Sequence, residues 1–158
     1  MIVCPKCNSP LKENNGILKC ISCGIDFPSR NNILNFLTTQ IANNDTYDEQ
    51  GLDILYKLED NHFWFIERKR VIIDTVLKYI DKKSYILDAG AGTGNIAQQL
   101  FLHGYENVAA GELFTKGLLY AEEYGIKELY QFDILNPPFR NHFDAILFKR
   151  NNYFIHIN

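Results

Sequence analysis

No run of about eighteen apolar residues occurs in the chain, so the sequence offers no helix able to cross a bilayer. No cleavable leader is read at the amino terminus, where Met1-Ile2-Val3 leads directly into Cys4. Excess positive charge is also missing: the formal net charge is −3 at pH 7, which gives no general basic field for nucleic acid. No cysteine follows Cys23. These absences make a soluble, cytoplasmic protein the expectation, with no membrane partner and no nucleic-acid partner indicated by charge. What remains is a chain of 158 residues, 46% hydrophobic and 13% aromatic, apolar enough for a packed core and long enough for one domain or a domain with a small module.

The four cysteines fall in two C-x-x-C pairs, Cys4-Pro5-Lys6-Cys7 and Cys20-Ile21-Ser22-Cys23, with twelve residues between them. That spacing places four thiolates where they can close around a tetrahedral ion, and four protein ligands leave no open position for water. A structural zinc site on Cys4, Cys7, Cys20 and Cys23 is therefore expected, standing in for a core in a module too small to have one. A disulfide pair is disfavoured in a reducing compartment. A thioredoxin-like motif would need a single C-x-x-C within a βαβ unit. The stretch from Cys4 through Asn8-Ser9-Pro10-Leu11, Cys20, Cys23-Gly24 and Phe27-Pro28-Ser29-Arg30 to Ile33 resembles the zinc-ribbon activator subunits of methyltransferases, over roughly residues 1–37. Asn32 stands where that pattern carries glycine, and asparagine also visits positive φ. The resemblance implies a docking surface as often as a catalytic aid.

Residues 38–62 read as a linker and a short helix. Thr38 to Gly51 is polar, with Asn43-Asn44-Asp45 in its middle, and Leu52, Leu55, Tyr56 and Glu59 roughly follow helical spacing. Next comes Glu59-Asp60-Asn61-His62-Phe63-Trp64-Phe65-Ile66-Glu67-Arg68, followed by Ile72, Ile73, Val76, Leu77 and Ile80 on one helical face. Trp64 and its neighbours read as an aromatic cover, with Arg68 one turn further along, and His62 as a capping or surface residue. This segment resembles the E-x-x-H-F-W-F-x-x-R stretch found before the glycine motif in a group of bacterial methyltransferases. The resemblance implies a lid over a cofactor pocket, with Arg68 meeting the cofactor's carboxylate. The alternative is core aromatics and a surface charge.

The stretch that organises the rest is Tyr85-Ile86-Leu87-Asp88-Ala89-Gly90-Ala91-Gly92-Thr93-Gly94-Asn95-Ile96. A short β-favouring run meets an acid, then three alternate glycines, then a pattern in which Ile96, Ala97, Leu100 and Phe101 share a helical face. Strand, glycine turn and helix in that order let a ligand approach bare backbone at a helix start. The spacing G-x-G-x-G differs from the dinucleotide fingerprint G-x-G-x-x-G, which disfavours NAD. Leu-Asp-Ala-Gly-Ala-Gly-Thr-Gly resembles motif I of class I S-adenosylmethionine-dependent methyltransferases. Asn107 to Glu112 reads as a second strand ending in a carboxylate suited to a ribose diol, and Leu129 to Ile134 as a third strand with Asp133 near its end. Pro137-Pro138-Phe139 through Phe143-Asp144 to Leu147 resembles the family's loop and fourth strand. By this resemblance Asp88, Gly90, Gly92 and Gly94 lie along the cofactor's methionine end and Asp133 meets its adenine. Ala89, Ala91, Leu113 and Ile134 complete the expected cofactor set with Glu112 and Arg68.

One helix from Asn95 is expected to end at His103-Gly104, and another, from Thr115 to Tyr124, to bury Leu118, Leu119 and Ala121 and stop before Gly125. The expected fold is α/β: a Rossmann-like sheet of strands in the order 3-2-1-4, preceded by the ribbon, with residues 63–158 as the first part of a methyltransferase domain. Lys149 to Asn158 does not resemble the family's continuation. A truncated enzyme is therefore expected, whose fourth strand is an open edge prone to self-association or pairing with another chain. The implied activity is methyl transfer from S-adenosylmethionine to an acceptor the sequence does not identify, with no residue readable as a catalytic base. A catalytically inactive scaffold that docks a partner through the ribbon is the competing expectation.

Overall fold

The computed structural model describes residues 1–39, 49–150 and 152–157, so the centre of the polar linker, Asn43-Asn44-Asp45, lies outside the described residues. Near the amino terminus β1 (Leu11–Asn14), β2 (Ile17–Cys20) and β3 (Asp26–Phe27) form a small antiparallel sheet. The β1–β2 turn is Asn15-Gly16, with φ of +51° and +78°, the left-handed pair that a two-residue hairpin requires. The same device joins β4 (Ser29–Arg30) to β5 (Ile33–Asn35), where Asn31 and Asn32 have φ of +50° and +57°. Asn32 thus takes the conformation that glycine would.

Then follow α1 (Glu49–Leu58), α2 (Phe63–Tyr79), β6 (Ile86–Ala89), α3 (Asn95–Leu102), β7 (Val108–Glu112), α4 (Thr115–Glu123), β8 (Glu128–Gln131), β9 (Ala145–Arg150) and β10 (Asn152–Ile157). The large sheet has the order β10-β9-β6-β7-β8-β5-β4. Strands β9, β6, β7, β8 and β5 run parallel, and β10 and β4 are antiparallel additions at the edges. Strands β8-β7-β6-β9 follow the expected order 3-2-1-4. The expected open edge at the fourth strand is absent, because β10 folds back on β9 with Phe154 opposite Phe148 and Ile157 opposite Ala145. No described helix is long and apolar enough to cross a membrane.

Strand alternation sorts the side chains onto two faces. On one, Ile86, Val108, Ala110, Leu129, Ala145 and Leu147 meet Ile72, Ile73 and Val76 of α2, Ala97 and Leu100 of α3, and Leu118 and Ala121 of α4. On the other, Leu87, Ala89, Ala109, Tyr130 and Phe132 meet Phe139 and Phe143 from the segment before β9, together with Cys4, Cys20, Phe27 and Phe36. Helices cover the first face. The cysteine-bearing segment and an aromatic loop cover the second.

Leu77, Phe101 and Leu119, expected in the core, are 41%, 48% and 36% exposed. Each lies at or beyond the flank of its helix's apolar stripe, and the stripe that touches the sheet is narrower than periodicity alone suggests. The helix ends agree with expectation: Gly104 and Gly125 follow α3 and α4 with φ of +87° and +89°. Tyr105 is fully buried, and its hydroxyl donates to the Ile80 carbonyl (2.9 Å) and to the Val76 carbonyl (3.2 Å), which also accepts from the Ile80 amide, so the ring is tied to the end of α2. Tyr105→Phe is expected to cost about 1–2 kcal/mol in a urea melt, since those acceptors lose a donor inside the core.

Candidate functional site

The chain leaves β6 at Ala89 and turns through Gly90, Gly92 and Gly94, with φ of +74°, +60° and +79°. All three are left-handed, which explains glycine at alternate positions. The amides of Gly90 and Ala91 donate to the Gly111 carbonyl at 2.8 and 3.0 Å, so the turn starts by crossing towards β7. A side chain on Gly90 would meet nothing within 4 Å, leaving that backbone open to a ligand. Gly94 differs. It is the amino-terminal cap of α3, and a Cβ there would lie 2.5 Å from that of Ala121, so its missing side chain makes room for α4. A Cβ on Gly117 would come within 2.1 Å of the Gly92 carbonyl oxygen, and one on Gly111 within 2.3 Å of the Phe132 ring.

Glu112, at the end of β7 and buried, accepts from the Gly92 amide through Oε2 and from the Leu113 amide through Oε1, both at 2.7 Å. The Leu113 carbonyl accepts in turn from Gln131 Nε2 at 2.9 Å. Asp88 is buried in β6 beside the turn. Strand β8 stops at Gln131, short of Asp133, because the Asp133 carboxylate accepts from the Leu135 amide (2.9 Å) and Asn136 Nδ2 (3.3 Å) and bends the chain into a loop. Ile134 beside it is 37% exposed. The expected third-strand acid therefore caps its own loop.

The elbow between α1 and α2 closes over the turn from the other side. Thr93 Oγ1 donates to both oxygens of the buried Glu59 carboxylate, at 2.6 and 2.7 Å. Asp60 Oδ1 accepts from Lys69 Nζ at 2.7 Å and Asn95 Nδ2 at 3.2 Å. His62 caps α2, its Nδ1 accepting from the Trp64 amide at 3.3 Å. Phe63 and Trp64 are 73% and 48% exposed, so they are no part of the core, and the Arg68 guanidinium lies 4.8 Å from the Trp64 ring centre. Arg68 and Ala91 share one cleft with Glu59, Phe65, Asn95 and Ile96, with about 30 Å³ of free space between them.

Glu59 and Thr93 lie within the two motif-bearing segments, but nothing in the sequence marks either as a partner of the other. Their pairing spans 34 residues and leaves no local signal. Helix α1 is further pinned to α4, where Asp53 accepts from Lys116 Nζ at 2.6 Å and from the Tyr120 hydroxyl, and Tyr56 stacks on Tyr120 with ring centres 4.1 Å apart. Lys116 and Tyr120 hold the Asp53 carboxyl below its ordinary range, and Lys69 does the same for Asp60. The Asp53 carboxylate in turn pushes the Tyr120 hydroxyl up to about 12.

The sulfurs of Cys4, Cys7, Cys20 and Cys23 all lie within 4.8 Å of one another, and none is in a disulfide. Cys7 and Cys20 lie 3.4 Å apart and Cys4 and Cys23 3.6 Å apart. A tetrahedron with zinc–sulfur bonds of about 2.3 Å has edges of about 3.8 Å, so the four sulfurs suit a metal ion of that size. Each C-x-x-C is followed by a left-handed residue, Asn8 at +58° and Gly24 at +73°, whose amide returns to the carbonyl of the first cysteine. Hydrogen bonds from Ser9 hold the Cys7 thiol down to about 6, while burial pushes Cys4 up to about 12, so a thiolate at Cys4 calls for a cation beside it.

Two outcomes follow from this geometry. Gly117→Ala replaces a poor helix former with the best one, worth up to about 1 kcal/mol by propensity. The clash with the Gly92 carbonyl is expected to reverse the sign, to a net loss on the order of 2 kcal/mol in thermal or urea melts. The lowered values of Asp53 and Asp60 mean that their contribution is complete above the ordinary aspartate pKa of about 3.9 and is lost as pH falls through the lowered ones. Once exchange rates are corrected for the intrinsic pH dependence of amide exchange, α1 should therefore lose protection on acidification before α3 does, and Asp53→Asn should reduce the step. The chain matches no known protein-family model and no curated protein, so its class rests on its own geometry: an α/β chain with a mostly parallel sheet and four cysteines placed to hold a metal ion.

Proposed function

We propose that the chain binds S-adenosylmethionine and serves methyl transfer to an acceptor yet to be identified, with a structural zinc ion on its four cysteines. The observation that carries this reading is the glycine turn at the carboxyl end of β6, with open backbone at Gly90, a buried carboxylate at the end of the neighbouring strand, and Arg68 and Ala91 on one cleft. The open space at Gly90 and the cation at the cleft fit the amino-acid end of such a cofactor. Asp88, Ala89, Gly90, Ala91, Gly92 and Gly94 would line that end, with Arg68 facing its carboxylate. Glu112 and Leu113 would hold the ribose, and Asp133 and Ile134 the adenine. When bound, the cofactor supplies a methyl group already activated by its positive sulfur. The residues of the chain supply orientation and exclusion of water, and among the described residues no side chain stands out as a base.

A second reading, a scaffold that docks a partner through its cysteine-bearing segment, is favoured by two features of the same site. The cleft holds only about 30 Å³, and both oxygens of Glu112 are engaged on backbone amides of the turn.

Calorimetric titration of S-adenosylmethionine into the zinc-loaded protein separates the two. Micromolar binding is expected, lost in Glu112→Ala and weakened about 10- to 100-fold in Arg68→Ala, as befits a charged hydrogen bond. Absence of binding by a folded, zinc-replete sample would sink the cofactor reading and leave the scaffold.

A further inference from the structure

We infer that the four-cysteine centre is the clasp of the whole sheet, so that metal occupancy and the order of the glycine-turn end are coupled across the molecule. This rests on the metal reading and is independent of the cofactor. Three observations carry it. First, Cys4 and Cys20 belong to the same buried cluster as Leu87, Ala89, Ala109 and Tyr130 of the large sheet. Second, the segment holding the cysteines continues into the sheet: β5 pairs in parallel with β8, Ile33 opposite Leu129 and Asn35 opposite Gln131. Third, hydrogen bonds run from that junction to the turn. The Phe36 amide donates to the Gln131 carbonyl (2.8 Å), Gln131 Nε2 to the Leu113 carbonyl (2.9 Å), and the Gly92 amide to Glu112 (2.7 Å).

The amino-terminal segment also grips the loop before β9. The Val3 amide donates to the Pro138 carbonyl at 2.7 Å, and Phe139 meets Phe36, Tyr130 and Phe132 with ring centres 6.3, 5.1 and 5.3 Å apart. Strands β1 and β2 are mostly exposed and supply little core of their own, so an ion is what keeps this cover folded. Losing it strips apolar cover from the second face and leaves β8 paired with β7 alone. Cys7 and Cys23 are exposed while Cys4 and Cys20 are buried. A chelator in solvent therefore reaches the ion from outside, and the effect arrives in the core. Coupling of this kind is reciprocal: whatever loosens the junction must also loosen the metal.

The test compares amide hydrogen exchange of the full zinc-loaded chain with and without excess EDTA, and zinc affinity by chelator competition in the unsubstituted chain and in Phe36→Leu. Chelation is expected to accelerate exchange in β5, in β8 and at residues 111–113, well beyond residues 1–24, and wholesale loss of helical signal counts the same way. Phe36→Leu is expected to weaken zinc about tenfold, within the usual range of coupling between sites. Faster exchange confined to residues 1–24, with β8 still protected, overturns the inference, as does an unchanged zinc affinity in a folded Phe36→Leu. If that variant does not fold, the exchange experiment decides alone. A chain that takes up no zinc overturns the metal assignment and the clasp with it.

Discussion

A parallel sheet is stable only when both of its faces are dry, because its strands carry apolar side chains on alternating sides and its crossovers deliver cover to one face at a time. Here the three helices α2, α3 and α4 reach one face, built on Ile86, Ala110, Leu129 and Leu147. The opposite face, built on Leu87, Ala109, Tyr130 and Phe132, is closed by an aromatic loop and by the segment that carries the cysteines. That segment is therefore structural cover for the sheet. Its two buried cysteines put the candidate metal centre against the core that the sheet depends on.

Close approach governs the other end of the molecule. Helix α4 lies so near the glycine turn that Gly94 and Gly117 each face an atom within 2.5 Å of where a Cβ would stand, and Gly111 is crowded in the same way by the Phe132 ring. Gly90, in the same turn, has nothing within 4 Å of where its Cβ would stand. The turn is held from both flanks, by Glu112 on the Gly92 amide and by Glu59 on the Thr93 hydroxyl. Buried carboxylates bonded in this way are costly to unpair. They keep the turn in one shape, and they also keep the cleft beside Arg68 small.

Much of this was legible from residue order, and the reason is that the signals were local. Two C-x-x-C pairs twelve residues apart, three alternate glycines between strand and helix, the caps at Gly104 and Gly125, the left-handed Asn32 and the order of β8-β7-β6-β9 all follow from spacing, φ preference and crossover rules. His62 as a cap is of the same kind. The helix faces were legible only approximately, since Leu77, Phe101 and Leu119 are apolar at the right spacing yet face solvent.

What only the tertiary structure decided is which distant segments meet. Ile33–Asn35 reads as the tail of a ribbon, and pairing with β8 makes it an interior strand of the large sheet. The residues after β9 read as foreign to the fold, and they pair back on it as β10. Glu59 and Thr93 are ordinary polar residues until the elbow brings them to 2.6 Å. Gly117 looks like a poor choice in a helix until the Gly92 carbonyl appears beside it. The sequence by itself determined the local conformations and the chemistry on offer, because periodicity, capping and ligand spacing act over a few residues. Partner choice across the sheet and across the glycine turn was settled by packing, since a hydrogen bond or a close contact between remote residues leaves no period in the chain.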